Sequence, residues 1–164
     1  PPMQMGGDAA IHYNLGQAYA KAQRVPEARA EYAQAVRLDS TYWQAWLNLG
    51  SVEAIAGQMA EAAETLERVT RARPGQLEAW MNLAHARRAL QQVPEARRAY
   101  AEALKLPSPH RLQIYLELLG FHLRAGEISL AEEVLAQAQR AFPEEAARLV
   151  QAYEQVKARG AGGR

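Results

Sequence analysis

Apolar positions in this chain follow two periods at once. At short range they fall three to four residues apart, as on one face of a helix: Trp46, Leu49, Gly50 and Val52, then, after a break at Ala56-Gly57-Gln58, Ala62, Leu66 and Val69. Pro74-Gly75 ends the second run. The alternating pattern of half-buried strands is missing, so the chain is predicted to be all-α. At long range the whole arrangement recurs every 34 residues. Leu15-Gly16 returns as Leu49-Gly50 and Leu83-Ala84, His12 as Trp46 and Trp80, Ala28 as Ala62 and Ala96, and Tyr32 as Leu66 and Tyr100. A fixed period of this length means stacked helix-turn-helix units rather than one globular core. The small residues have a steric role: Gly50 lets the first helix approach its neighbour, and Ala62 lets the two helices of a unit cross closely.

The unit resembles the tetratricopeptide repeat, whose pattern is Trp-x2-Leu-Gly-x2-Tyr, then Ala-x3-Phe, then Pro. Repeats fall at about 9–42, 43–76 and 77–110 in strict register. A fourth, at about 112–145, fits after a one-residue slip, with Tyr115, Leu118, Leu119, His122, Ala131, Leu135, Ala138 and Pro143 at the signature places. The resemblance implies a right-handed α-solenoid of four helix pairs plus a C-terminal capping helix at 143–158, nine helices in one domain over 9–158. Residues 1–8 read as a leader or added segment with Asp8 capping the first helix, and 159–164 as a disordered tail. Ser108 and Pro109 are expected at the N-cap and first position of the seventh helix. Glu53, Arg87 and His122 replace the aromatic that Tyr19 supplies, and an ion pair between Glu53 and Arg87 is expected across the seam of successive first helices.

Composition narrows the function. Lys plus Arg number 19 and Asp plus Glu 18. Residues 1–76 hold 7 basic and 8 acidic side chains, and residues 77–164 hold 12 and 10. Neither half is basic enough to favour nucleic acid. No apolar stretch reaches the roughly 18 residues of a membrane span. Cysteine is absent, which removes disulfides and thiolate metal sites but assigns no compartment, cytoplasmic or periplasmic. The alanine- and arginine-rich composition suits a bacterial source. Catalysis has no foothold: Asp8 and Asp39 sit where caps or turns use them, the four histidines lack zinc-ligand spacing, and no glycine-rich phosphate loop follows a strand. The expectation is no enzyme, no metal and no cofactor.

In arrays of the resembled family the first helices line a concave groove. Helical spacing then places Tyr13, Asn14, Gln17, Lys21, Leu47, Asn48, Ser51, Met81, Asn82, His85, Arg88, Leu116 and Arg124 on it. Two ladders stand out. Asn14, Asn48 and Asn82 recur at 34-residue intervals, and an asparagine amide can pair with a peptide's N–H and C=O without reading its side chains. The other reading is that they hydrate the groove or bond a neighbouring helix. Beside them runs an apolar strip, Tyr13, Leu47, Met81 and Leu116. His85, Arg88 and Arg124 form a candidate cluster for an acidic feature, or a solvated face neutralised by Glu117 and Glu127. Some family members hold a ligand's terminal carboxylate with a lysine-asparagine-asparagine-lysine-arginine clamp. The matching places here are Tyr13, Gln17, Asn48, Glu78 and Asn82, and only Asn48 agrees. Trp46 and Trp80 are expected in the core, and Trp43 as a wedge between repeats.

The expected function is a non-catalytic scaffold that binds a peptide or partner segment in its groove. Two alternatives stand beside it: a self-associating structural module, and an accessory region that positions a substrate for a larger enzyme or secretion component.

Overall fold

A computed structural model of the protein describes residues 5–161. Among these residues there are nine α-helices and no strand: α1 (Met5–Lys21), α2 (Val25–Leu38), α3 (Trp43–Ile55), α4 (Met59–Ala72), α5 (Leu77–Ala89), α6 (Val93–Lys105), α7 (Arg111–Arg124), α8 (Ile128–Ala141) and α9 (Ala146–Ala161). A single 3₁₀ turn, Pro143–Glu145, precedes α9. The chain divides into two compact units, Pro1–Glu102 and Ala103–Arg164.

In the first unit α2 packs on both α1 and α3, α4 on both α3 and α5, and α3 touches α5 directly. Its core starts with Ala28, Tyr32, Ala35 and Val36 of α2 against Ala45, Leu49 and Val52 of α3. It continues through Ala62, Leu66, Val69, Leu83, Ala84, Ala96 and Tyr100, all at most 5% exposed. In the second unit α7, α8 and α9 each contact the other two. Ile114, Leu118, Leu119, Ala131, Leu149 and Tyr153 are buried there.

The turn inside each pair is the same device repeated. Gln23, Gly57, Gln91 and Gly126 all take left-handed backbone, with φ of 57°, 78°, 58° and 74°. The next residue's N–H reaches back five residues, Arg24 to the Tyr19 carbonyl, Gln58 to Glu53, Gln92 to Arg87 and Glu127 to His122, each at 2.9 Å. This six-to-one bond satisfies carbonyls that a helix end leaves open. Side chains reinforce it. The Arg24 guanidinium lies 4.8 Å from the Tyr19 ring centre, Arg87 donates to Gln92 at 2.6 Å, and His122 Nδ1 meets Glu127 Oε2 at 2.6 Å.

That geometry overturns the expected Glu53–Arg87 pair. Residues at this place meet their own turn or an adjacent second helix, so Glu53 and Arg87 take other partners. Arg87 pairs with Glu67 of α4, and Glu53 is buried against Thr65. Four further expectations change. Helix α1 begins by Met5, so Asp8 lies in its first turn and is not its cap. The seventh helix starts at Arg111, and the Ser108 hydroxyl instead accepts the His110 N–H at 3.0 Å in the preceding turn. Trp46 and Trp80 are only half-buried, because each indole lies over the loop before its helix and donates to the carbonyl of Ser40 (3.0 Å) or Pro74 (2.8 Å). Helix α9 continues through 159–161. Residues 1–4 of the expected leader and 162–164 of the expected tail lie outside the described residues.

Candidate functional site

Helices α1, α3 and α5 carry the expected groove residues of the first unit. Each starts a repeat, so residues 34 apart occupy the same place on successive helices. Asn14 is exposed, and Asn48 and Asn82 are half-buried. The Asn48 amide donates to the Tyr32 hydroxyl at 3.3 Å, and the Asn82 amide donates to Ser51 Oγ at 3.0 Å. The second bond joins α5 to α3. Ser51 in turn donates to the Leu47 carbonyl one turn back, at 2.9 Å. Among the described residues none of the three asparagines bonds a helix carbonyl, and Asn48 and Asn82 are each oriented by a single N–H.

Around Tyr13 the site is aromatic. Its ring lies 4.9 Å from Tyr42 and 5.9 Å from Tyr32, and its hydroxyl accepts from Gln17 at 3.0 Å. Burial raises the Tyr32 and Tyr42 phenols above their ordinary range. Neither Tyr32 nor Tyr42 was legible as a site residue. The first stands at a core signature place and the second ends a repeat, and only the fold turns both toward Tyr13. Lys21 is exposed at the end of α1.

The apolar strip is interrupted. Leu47 is 6% exposed, on a helix against which α2, α4 and α5 all pack. Leu47 is therefore a packing residue, while Tyr13 and Met81 stay half-buried. His85 is half-buried and meets Tyr100 edge-on, with ring centres 6.0 Å apart. Arg88, three residues on, is exposed. In the second unit Leu116 is half-buried, and the exposed Arg124 folds back over Gly120, where an added Cβ would stand 3.2 Å from its Nη1. Neither unit by itself assembles His85, Arg88 and Arg124.

Two buried titratable groups stand apart from these residues. Glu53 is 9% exposed, and burial holds its carboxyl above the ordinary range, opposed by a hydrogen bond from Thr65 and the charge of Arg29. His122 is 1% exposed and spent on Glu127. Among the described residues no three His, Asp or Glu side chains are grouped to hold a metal, and no helix is long and apolar enough to cross a membrane.

Antiparallel helix pairs in 34-residue register, with a small residue at each crossing, define a helical-repeat protein of the all-α solenoid class. The chain belongs to the tetratricopeptide repeat family: one profile of that repeat matches residues 13–76 and 81–155, and a second matches 53–107. No curated protein matches it. Solved structures of similar fold include MamA from Desulfovibrio magneticus, residues 41 to the end, at 22% identity and TM-score 0.74, covering 86% of this chain and 76% of that one. Another is YrrB, a tetratricopeptide repeat protein with an unusual peptide-binding site (19% identity, TM-score 0.73, 96% and 80% covered). A third is the first such domain of Spaghetti (RPAP3), bound to the HSP90 peptide SRMEEVD (21% identity, TM-score 0.62, 79% and 94% covered). At these identities the likeness is one of fold.

Proposed function

We propose that the protein is a non-catalytic interaction scaffold that binds an extended peptide segment across its first helices. The observation that carries this reading is the asparagine register. Asn14, Asn48 and Asn82 stand at one place on α1, α3 and α5, with α3 directly against α5 and no asparagine consumed by a helix carbonyl. Each amide oxygen remains an acceptor for a ligand N–H, and Asn48 and Asn82 each have a second N–H to donate. Tyr13, Gln17, Lys21, Ser51 and Met81 flank the row, and His85 and Arg88 give its far end a basic character suited to an acidic ligand feature. The peptide-binding sites of YrrB and Spaghetti support a ligand of this kind. Neighbouring packed helices lie about 8–10 Å apart and an extended chain advances about 3.3 Å per residue. Each asparagine then meets roughly every third ligand residue. The test is a peptide selected from a random library against the native protein, titrated by calorimetry into the triple variant Asn14→Ala/Asn48→Ala/Asn82→Ala. Affinity is expected to fall about tenfold or more, the scale of one to two lost hydrogen bonds. Unchanged affinity in a variant with native circular dichroism rejects the ladder.

A second reading, self-association, is favoured by one observation. Leu15 is 42% exposed where its equivalents Leu49 and Leu83 are 5%, and Ile11, one turn earlier, is 58% exposed. This open apolar side of α1 can meet a second copy. Light scattering of the native protein and of Ile11→Lys decides it: a dimer that the substitution dissociates supports the reading, and a native monomer at high concentration ends it.

A further inference from the structure

A second feature of the first unit lies away from the asparagine row. Ser40, Thr41, Trp43, Trp46, Arg68 and Arg73, with two aliphatic side chains of α4, line a cleft of about 430 Å³. Trp46 stands two residues before Asn48, hence about 200° around α3 from it. The Arg68 guanidinium carbon lies 5.1 Å from the Trp46 ring centre, and that of Arg73 lies 5.8 Å from Trp43. Both are cation–π distances.

No lining residue is a carboxylate, and neither arginine forms an ion pair among the described residues. The acids beside the cleft in sequence are already engaged: Glu67, next to Arg68, pairs with Arg71 and Arg87, and Asp39, next to Ser40, accepts from the Thr41 N–H and hydroxyl at 2.9 and 2.6 Å. The cleft beside the next repeat's tryptophan is built differently. Around Trp80 the arginines are neutralised internally, Arg71 and Arg87 by Glu67 and Arg98 by Glu95. At the equivalent sequence places, 34 residues on, Leu77, Glu102 and Pro107 stand where this cleft has Trp43, Arg68 and Arg73. The two repeats share one backbone plan, so the paired tryptophans and unneutralised arginines are a property of this cleft and not of the fold.

We propose that the Trp43–Trp46–Arg68–Arg73 cleft is a separate docking site for an acidic peptide segment of a partner protein. Glutamate or aspartate carboxylates pair with the two guanidinium groups, and an adjoining apolar side chain enters between the indoles. Stacking on the indoles holds the arginine planes in place, which favours charge-assisted bonding to a carboxylate. The Thr41 and Ser40 loop lines the cleft beside the first turn of α3, whose N-cap residue Tyr42 makes no side-chain capping bond.

The protein's three tryptophans include the two of this cleft, so intrinsic fluorescence reads the site. The probe is the capped peptide Ac-Glu-Glu-Leu-Glu-Glu-NH2, titrated in low salt. A saturable change is expected that weakens with added salt. It should weaken roughly tenfold or more in Arg68→Gln/Arg73→Gln, a variant made at two exposed positions where folding is retained. Asn48→Ala/Asn82→Ala should leave it unchanged, which separates this site from the asparagine row. Three results each overturn the proposal: no saturable change with the acidic peptide, equal binding of the Gln-for-Glu peptide, or equal affinity in the arginine variant. Inorganic phosphate producing the same change at the same concentration also overturns it, by showing a simple anion site with no demand for a peptide.

Discussion

The left-handed residue in each intra-repeat turn is glycine at 57 and 126 but glutamine at 23 and 91. A side chain in that conformation costs about 1–2 kcal/mol relative to glycine, partly offset by glycine's greater freedom when unfolded. Gly57→Ala is therefore expected to lower stability by about 1 kcal/mol, and Gln91→Gly to be neutral or slightly stabilising. Thermal denaturation of the two variants checks the opposite signs. Glu53 poses a different residue-scale problem, since its carboxyl is held above its ordinary value of 4.5 chiefly by burial. Between that value and the raised one the folded state binds more protons than the unfolded, so stability falls as pH rises through the window. The group is fully compatible with the fold only below it. Glu53→Gln is expected to raise the melting temperature at neutral pH and to flatten the pH dependence above 4.5. A variant less stable than native at pH 7 would show that the Thr65 bond and the Arg29 charge outweigh desolvation.

At the scale of helices, the pairs are set by small residues opposite large ones. A Cβ built on Gly16 would stand 2.7 Å from the Tyr32 ring, and one on Gly50 would stand 2.7 Å from Leu66 Cγ. Leu66 is fully buried, so moving it means displacing packed neighbours. Gly50→Ala is expected to cost about 1–3 kcal/mol by overpacking, despite alanine's higher helix propensity. Ala62→Leu, at another fully buried place on the same crossing, should cost a similar amount. Urea denaturation measures both, and a stabilised Gly50→Ala would mean that the α3–α4 crossing opens freely. Propensity and packing here point in opposite directions, and packing decides.

Across the whole molecule, stability in a repeat protein is close to a sum of units and nearest-neighbour interfaces. A core truncation should accordingly be felt locally. Leu66→Ala removes a fully buried side chain, with an expected cost of about 2–5 kcal/mol. Hydrogen exchange followed by mass spectrometry should show the largest loss of protection in α3 and α4, and a smaller loss in α8 and α9. A uniform loss over all nine described helices would mean that the chain unfolds as a single cooperative body.

The sequence by itself determined the all-α class, the 34-residue period and the family, because each depends on which residue types recur at which spacing. It also determined the buried Leu49, Ala62, Leu83 and Ala96, since a helix has one face for its partner and the pattern marks that face. Tertiary structure decided what the period leaves degenerate. A position such as Glu53 or Arg87 is the same place in every repeat, but whether its side chain meets the seam, its own turn or the preceding α-helix depends on rotamer and on three packed neighbours. Leu47 was buried for that reason, Trp46 and Trp80 were drawn over their loops by an indole bond to a carbonyl, and two arginines came to rest on two tryptophans in a cleft with no carboxylate in its lining. Periodicity specifies a face, whereas contacts between helices specify what that face touches.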